Sequence, residues 1–411
     1  MTAALDQARE VREEDRLDVA RVDAFLRQHI DGLRGVPTIR QFPGGASNLT
    51  YLIGYGEREL VLRRPPAGVK AKSAHDMLRE AHVMAALKPH YPYVPAILAR
   101  CDDHTVLGHD FYVMERLRGI ILRRDLPAAL GLDEAGVRRL CLGFIERLVE
   151  LHQVDASLPE LAGLGKGEGY IARQVGGWSE RWRQAKTDDT DPCEDVLAWL
   201  AAKQPPRETA ICVIHNDYRF DNVVLDPGSL SGFGGRGENS AVRGQISDAL
   251  PAHSGSMGRQ SGGNMDRTAG FAARPTKARQ APGHPLDIIG VLDWEMSTLG
   301  DPLMDLGGSL AYWVQADDDT VFQSFRRQPT HVPGMLTRRE VVAHYAERSG
   351  WSVDNFDFYE VFGLFRLMVI IQQIYRRFVL GQTSNPQFAG FGQAAAYMGQ
   401  RCRRLIAGSS L

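Results

Sequence analysis

Two short apolar stretches, far apart in the chain, constrain its fold most: Asn222-Val-Val-Leu-Asp226 and Asp287-Ile-Ile-Gly-Val-Leu-Asp293. Each is a run of branched apolar residues bounded by polar ones, the pattern of a short buried β-strand. Residues 227–284 between them are rich in Gly, Ser, Arg, Ala and Pro, with few large apolar side chains and no sustained periodicity. A stretch of that composition does not bury enough apolar surface to offset its ordering entropy, so disorder is expected there. Closure entropy grows only logarithmically with loop length, so an insertion at a hairpin tip costs little. The two strands are therefore expected to pair as they would without the insert, which is either a tolerated insertion or an arm for a partner.

The residues leading into each strand can carry chemistry. Upstream of the first lies Val213-Ile-His215-Asn216-Asp217-Tyr218-Arg219-Phe220-Asp221-Asn222. Phosphoryl transfer to an alcohol needs a carboxylate that orients the hydroxyl and accepts its proton, together with oxygen ligands for Mg²⁺. An Asp and an Asn five apart on one loop, Asp217 and Asn222, supply both. The second strand ends on Asp293, followed by Trp294-Glu295, and a Mg²⁺ ion bridging phosphates takes one or two protein carboxylates. Downstream comes Gly300-Asp301-Pro302-Leu303-Met304-Asp305-Leu306. A lone H-x-D recurs by chance, and Asp217 alone would serve as a turn cap. The order of the three segments, two of them against apolar strands, gives them meaning together. Tyr218 and Arg219 adjoin Asp217 and are candidate acceptor contacts, with Trp178, Trp182, Arg366 and Tyr375 as further pocket candidates.

Ahead of this region the texture is that of a small sheet. A charged lead-in and a helix from Leu17 to Ile30 occupy residues 1–35. Strands are expected at Ile39–Phe42, Leu49–Tyr55 and Glu59–Arg63, the last two joined through Gly56-Glu57-Arg58, and at Val106–Leu107 and Phe111–Met114. A helix over 73–88 opens at Ser73 as N-cap. Beyond Gly119 the chain turns helical, with long amphipathic stretches at Asp133–His152, 170–204 and Phe356–Phe378, the short strands 210–214 and 223–225 interrupting them.

Composition excludes several classes. With 48 basic and 50 acidic residues the net charge is −2, which gives no bulk electrostatic case for nucleic acid or an anionic membrane. Five scattered cysteines form no C-x-x-C pair, so a reducing, cytoplasmic setting is expected rather than a disulfide framework or a zinc site. A P-loop signature and a G-x-S-x-G elbow are both missing from the sequence.

The series of motifs resembles the aminoglycoside phosphotransferase family over residues 36–400, the insert set aside. Leu62-Arg63-Arg64-Pro65-Pro66 and Asp293-Trp294-Glu295 are closest to the branch whose kinase domain is fused, in animals, to an acyl-CoA dehydrogenase. The resemblance implies an α+β, protein-kinase-like two-lobe fold. Its small antiparallel-sheet N-lobe would span 36–115 and bind nucleotide; its larger, mainly helical C-lobe would span 116–411 and carry catalysis and the acceptor. It implies ATP (or GTP) and Mg²⁺, with a small-molecule hydroxyl as acceptor. Asp217 matches the catalytic base, Asn222 and Asp293 the metal ligands, and His215 the residue that shapes the catalytic loop. Glu295 and Asp305 are supporting groups. Gly44, Gly45, Ser47 and Asn48 match the turn over the nucleotide. Arg63 takes the place of the usual phosphate-binding Lys, Glu80 its ion-pair partner, and Met114 with Glu115 the segment whose backbone meets the base. The branch points to a hydroxy acid or hydroxyacyl-CoA as acceptor; an antibiotic kinase and a nucleotide-binding pseudokinase acting as an interaction module are the alternatives.

Overall fold

The computed structural model describes residues 7–43, 48–66, 76–226 and 287–411. The first lobe is a five-stranded antiparallel sheet between two helices. Helix α1 (Val19–His29) is followed by β1 (Thr38–Gln41), β2 (Leu49–Tyr55) and β3 (Arg58–Arg64). Helix α2 (Met77–Leu87), β4 (Ile97–Cys101), the single turn α3 (His104–Leu107) and β5 (Phe111–Glu115) complete it, in spatial order β1-β2-β3-β5-β4. The β2–β3 turn places Gly56 at φ +60°, a left-handed conformation that costs a glycine little. Side chains alternate across β3. Leu60 and Leu62 pack with Val22, Phe25 and Leu26 of α1. Val61 faces the other way, with Met77, Ala81 and Met84 of α2. Arg63 shares Val61's parity, which sets it on the α2 side of the sheet.

Two expectations are corrected here. Val106–Leu107 is not a strand but the end of α3. The Asp103 side chain caps the Thr105 N–H at 2.8 Å, and Gly108 closes the turn at φ +78°. Local capping at both ends overrides the β preference of one valine. On the side away from β3, β5 pairs with β4. Helix α2 begins at Met77, where Asp76 accepts the Arg79 N–H at 2.8 Å. Ser73, expected as its cap, lies outside the described residues, as does the 227–284 insert.

The second lobe is mainly helical. Helix α4 (Glu134–His152) is capped by Asp133, and α5 (Tyr170–Ala185) and α6 (Glu194–Lys203) follow. Four short strands come next: β6 (Cys212–Ile214), β7 (Val223–Leu225), β8 (Ile288–Val291) and β9 (Thr298–Gly300). They pair antiparallel as β6–β9 and β7–β8. The two strands flanking the insert are thus joined, and the Asp226 N–H donates to the Asp287 carbonyl at 2.8 Å. Then come α7 (Pro302–Leu310), α8 (Thr320–Ser324), α9 (Arg338–Ser349), α10 (Phe356–Val379) and α11 (Phe391–Gly408).

Helix α10 is the axis of this lobe. Its length and mean hydropathy of 1.2 are those of a membrane-crossing helix, but 61% of that stretch is buried, the signature of a core helix packed on α5, α7 and α11. It meets α7 backbone to backbone: a Cβ on Gly363 would stand 2.1 Å from the Gly307 carbonyl oxygen. The two backbones touch because neither residue has a side chain there.

Candidate active site

The loop between β6 and β7 is held from below by one carboxylate. Asp305, fully buried on α7, accepts the His215 N–H at 2.6 Å, the Asn216 N–H at 2.7 Å and His152 Nε2–H at 3.1 Å. Burial alone would raise its pKa, but these donors carry it below the usual carboxylate range. Asn216 sits at φ +66°, a conformation that asparagine tolerates better than most side chains. The His215 ring donates from Nε2 to the Leu292 carbonyl at 2.9 Å and accepts the Asp217 N–H on Nδ1 at 3.2 Å. Those partners fix the tautomer, with hydrogen on Nε2 only. The buried ring therefore joins the loop to the chain leading into Asp293.

Asn222 is oriented by Asp217. Its Nδ2 donates to the Asp217 carbonyl at 2.8 Å and to Asp217 Oδ2 at 3.0 Å. The amide oxygen Oδ1 is left without a hydrogen bond among the described residues. Arg219 lies between Asp217, at 3.3 Å, and Asp221, at 3.2 Å, with its guanidinium 4.8 Å over the Tyr312 ring.

Asp293 arrives from the other strand. It sits at φ +69°, held by its neighbour Trp294, whose buried indole donates to the Val291 carbonyl at 2.9 Å and lies 4.8 Å from the His215 ring. One guanidinium then joins the lobes: Arg63 binds Glu80 Oε1 at 2.6 Å and Asp293 Oδ1 at 3.0 Å. Glu295 accepts from Asn48 Nδ2 at 2.8 Å, a second tie between the lobes. Arg79 is a third, donating to the carbonyls of Glu295 at 3.1 Å and of Ser297.

Charge is divided unevenly among these carboxylates. Burial raises the pKa of Asp217; the Arg219 charge opposes that rise and Asp293 adds to it. Burial pushes Asp293 up too, but the Arg63 guanidinium outweighs it and holds the group below its ordinary value. Glu295 is pushed up to about 7 by burial, then by the charges of Asp293 and Glu80.

A cleft of about 190 Å³ opens over Arg63, Asn222 and Asp293. Val61, Met114, Leu117 and Val224 give it an apolar end, and Arg63, Asn222 and Asp293 a polar one. A larger hollow of about 640 Å³ between α1 and the β4–α3 turn shares none of these residues. We take the smaller cleft as the site, because the charged groups converge there.

Sequence candidates divide accordingly. Asp217, Asn222, Asp293, Arg63, Glu80, His215, Asp305, Glu295 and Asn48 gather in one region. Tyr218 does not face the cleft: it is fully buried, its hydroxyl donating to the Phe144 carbonyl at 2.8 Å. Trp182 is likewise core, bonded to the Pro192 carbonyl. Arg219 is taken up by two carboxylates. The Glu115 carboxylate is turned to Lys88 and the Ala96 N–H, leaving its backbone and Met114 at the cleft. Gly44, Gly45 and Ser47 lie outside the described residues. Sequence reasoning missed Arg79 and Tyr312, which no local spacing marks, and Asn216, whose residue type at a sharp turn was a usable signal. Among the described residues no three His, Cys, Asp or Glu side chains cluster as a metal site.

Comparison with known proteins places the chain. The model of the phosphotransferase enzyme family, APH, matches residues 38–233 and 284–341, so its gap falls inside the insert. Acyl-CoA dehydrogenase family member 10 of Mus musculus is 30% identical over 367 residues, covering 88% of this chain and 29% of its own length. The chain thus spans less than a third of that relative. A Ralstonia eutropha protein of aminoglycoside phosphotransferase type superposes with a TM-score of 0.69 at 23% identity, over 96% of this chain and 100% of that one. Choline kinase from Cryptosporidium parvum Iowa II gives 0.58 at 10% identity, over 95% and 97%. The two-lobe organisation is therefore the kinase-like fold, and this chain belongs to the phosphotransferase enzyme family.

Proposed function

We propose that the chain transfers the γ-phosphoryl group of ATP to a hydroxyl of a small molecule, with Asp217 as the base and a hydroxy acid or its CoA thioester as the acceptor. The observation that carries this reading is the convergence of three separate segments at one cleft: Arg63, Asp293, and the loop on which Asn222 is bonded to Asp217. The apolar end suits a planar base and the charged end its phosphates. Arg63, always protonated and forked, suits phosphate oxygens.

Mg²⁺ fits the donors present at this cleft. Asn222 Oδ1 is free because the amide nitrogen is spent on Asp217, and Asp293 is kept ionised with only one oxygen on Arg63. Two oxygen donors from protein, the rest from phosphate and water, are what this ion takes. Bound there, it would neutralise charge on the phosphate oxygens.

In the transfer the acceptor oxygen forms its bond to the γ-phosphorus while the bond from that phosphorus to the β,γ-bridging oxygen breaks. ADP leaves, and the hydroxyl proton passes to Asp217. Arg219 and the His215–Asp305 support hold Asp217 in place, so little reorganisation accompanies the step. The test is ATP consumption with a panel of hydroxy acids, acyl-CoA thioesters and aminoglycosides. Asp217→Asn is expected to lower kcat by about 10²–10⁴-fold. Equal turnover by wild type and Asp217→Asn with every acceptor overturns the reading.

A further inference from the structure

Two arginines in the second lobe share one indole and, among the described residues, have no counter-ion. The guanidinium of Arg181 lies 4.7 Å from the Trp178 ring and that of Arg366 lies 5.5 Å from it. Neither makes an ion pair or a hydrogen bond among the described residues. Arg181 is exposed and its charge is screened by water, whereas Arg366 is half-buried, where an unpaired cation attracts an anion more strongly. Other half-buried arginines of this lobe are paired: Arg338 and Arg401 share Asp318, and Arg403 holds both Asp191 and Asp195.

Arg366 also reaches α7, which is bonded to the loop that carries Asp217. It lies one turn beyond Gly363, the residue through which α10 touches α7. Its Nη1 lies 3.2 Å from where a Cβ on Gly308 would be, so the guanidinium occupies space that a side chain would fill. Ser309, next on α7, donates from Oγ to the Tyr218 carbonyl at 2.7 Å, one residue after Asp217. One residue before Asp217, Asn216 Oδ1 accepts the Tyr170 hydroxyl at 2.9 Å. The charge of Arg366 reaches the phenols of both Tyr170 and Tyr312, and the charge of Asp217 reaches Tyr312 as well. Trp178 and Tyr170 are both buried on α5.

We propose that Arg366, assisted by Arg181 and backed by Trp178, is the acceptor's anion-binding subsite: the substrate hydroxyl meets Asp217 while an anionic group on the same molecule meets the Arg366 guanidinium. This rests on the reading of Asp217 as acceptor base. It makes Arg366 the residue that selects anionic alcohols and rejects amino alcohols and aminoglycosides, whose ammonium groups it repels. The anion is the carboxylate of a free hydroxy acid or a phosphate of its CoA thioester, and the assay separates them.

The experiment compares four acceptors of equal chain length: a hydroxyalkanoate, its CoA thioester, the diol and the amino alcohol. Wild type is expected to favour an anionic acceptor over the diol by about 10–100-fold in kcat/KM, the worth of one charged hydrogen-bonded pair, with the amino alcohol poorest. Arg366→Gln is expected to collapse that ratio towards one, and Arg366→Lys to restore part of it. A collapse confined to the thioester assigns the anion to phosphate, and one seen with the free acid assigns it to carboxylate. Gly308→Ala, which displaces the guanidinium without removing it, should lower the same ratio and serves if Arg366→Gln fails to fold. Equal use of diol and acid by wild type, or an equal loss with all acceptors in Arg366→Gln, overturns the proposal. Calorimetric binding of an alkanoate with no hydroxyl separates the two readings. Wild type that fails to bind it, while still transferring phosphoryl to the diol, removes the subsite and leaves Asp217 untouched. Wild type that binds it, loses that binding in Arg366→Gln, and phosphorylates no acceptor keeps the subsite and removes the role of Asp217.

Discussion

Arg63 and Asp293 are 230 positions apart in sequence and share an ion pair of 3.0 Å. The same guanidinium binds Glu80, so one side chain ties the sheet, helix α2 and the turn after β8 together. The consequence for substitution is asymmetric, because Glu80 is fully buried while Asp293 is partly open to the cleft.

Arg63→Met is expected to cost about 3–5 kcal/mol of stability, since it strands a buried carboxylate. Adding Glu80→Gln should recover a large part of that loss in thermal or urea unfolding, but should not restore phosphoryl transfer. Recovery of both together would show that Arg63 serves the fold alone.

Acid inactivation should begin above the ordinary aspartate range. A base must be ionised to accept a proton, and burial raises the pKa of Asp217. The acid limb of kcat/KM against pH is therefore expected to lie above about 3.9, the value for a free aspartate. A limb at or below that value would assign the base elsewhere.

Asp305 works in the opposite direction. Its folded-state pKa is lowered, so the stability it contributes is fully present above the unfolded carboxylate value and is lost as pH falls through the folded one. Asp305→Asn turns an amide N–H towards groups that are themselves donors and is expected to cost about 3 kcal/mol near neutrality. The variant's stability should also change less with pH below about 3.9. Unfolding curves at several pH values measure both effects; parallel acid limbs in the two proteins would count against the account.

Gly363→Ala tests the contact between α7 and α10. The added methyl would sit 2.1 Å from the Gly307 carbonyl oxygen, which belongs to backbone and does not swing away. A loss of about 3 kcal/mol or more is expected, at the upper end for overpacking. Gly143 on α4, whose Cβ would meet nothing within 4 Å, is the control, and Gly143→Ala should be neutral or stabilising.

The loop between β6 and β7 was legible because its information is local. Asp217 and Asn222 are five residues apart and run into an apolar strand, and Asp293 ends another. The β7–β8 pairing could be read across the insert because both strands keep their own apolar runs. Side-chain direction inside the loop was not legible: a turn has neither period 2 nor period 3.6, so nothing distinguished inward-facing Tyr218 from its neighbours. Strand β4 went unseen since Ile97–Cys101 buries only Ala99 and Cys101, and α3 was misread because a cap and a glycine five residues apart outweigh one valine. Arg79 binds carbonyls, which any residue supplies, so no partner in the sequence announces it.

The bond between Asp226 N–H and the Asp287 carbonyl brings the two ends of the insertion to one rung of a ladder. Either end can therefore be re-engineered without threading through the core. A tight turn could bridge the rung, and new termini opened there would leave two fragments, one carrying Asp217 and Asn222, the other Asp293. Such halves should be silent alone and active on reassembly, making this enzyme a candidate for a split reporter whose signal is phosphate transfer.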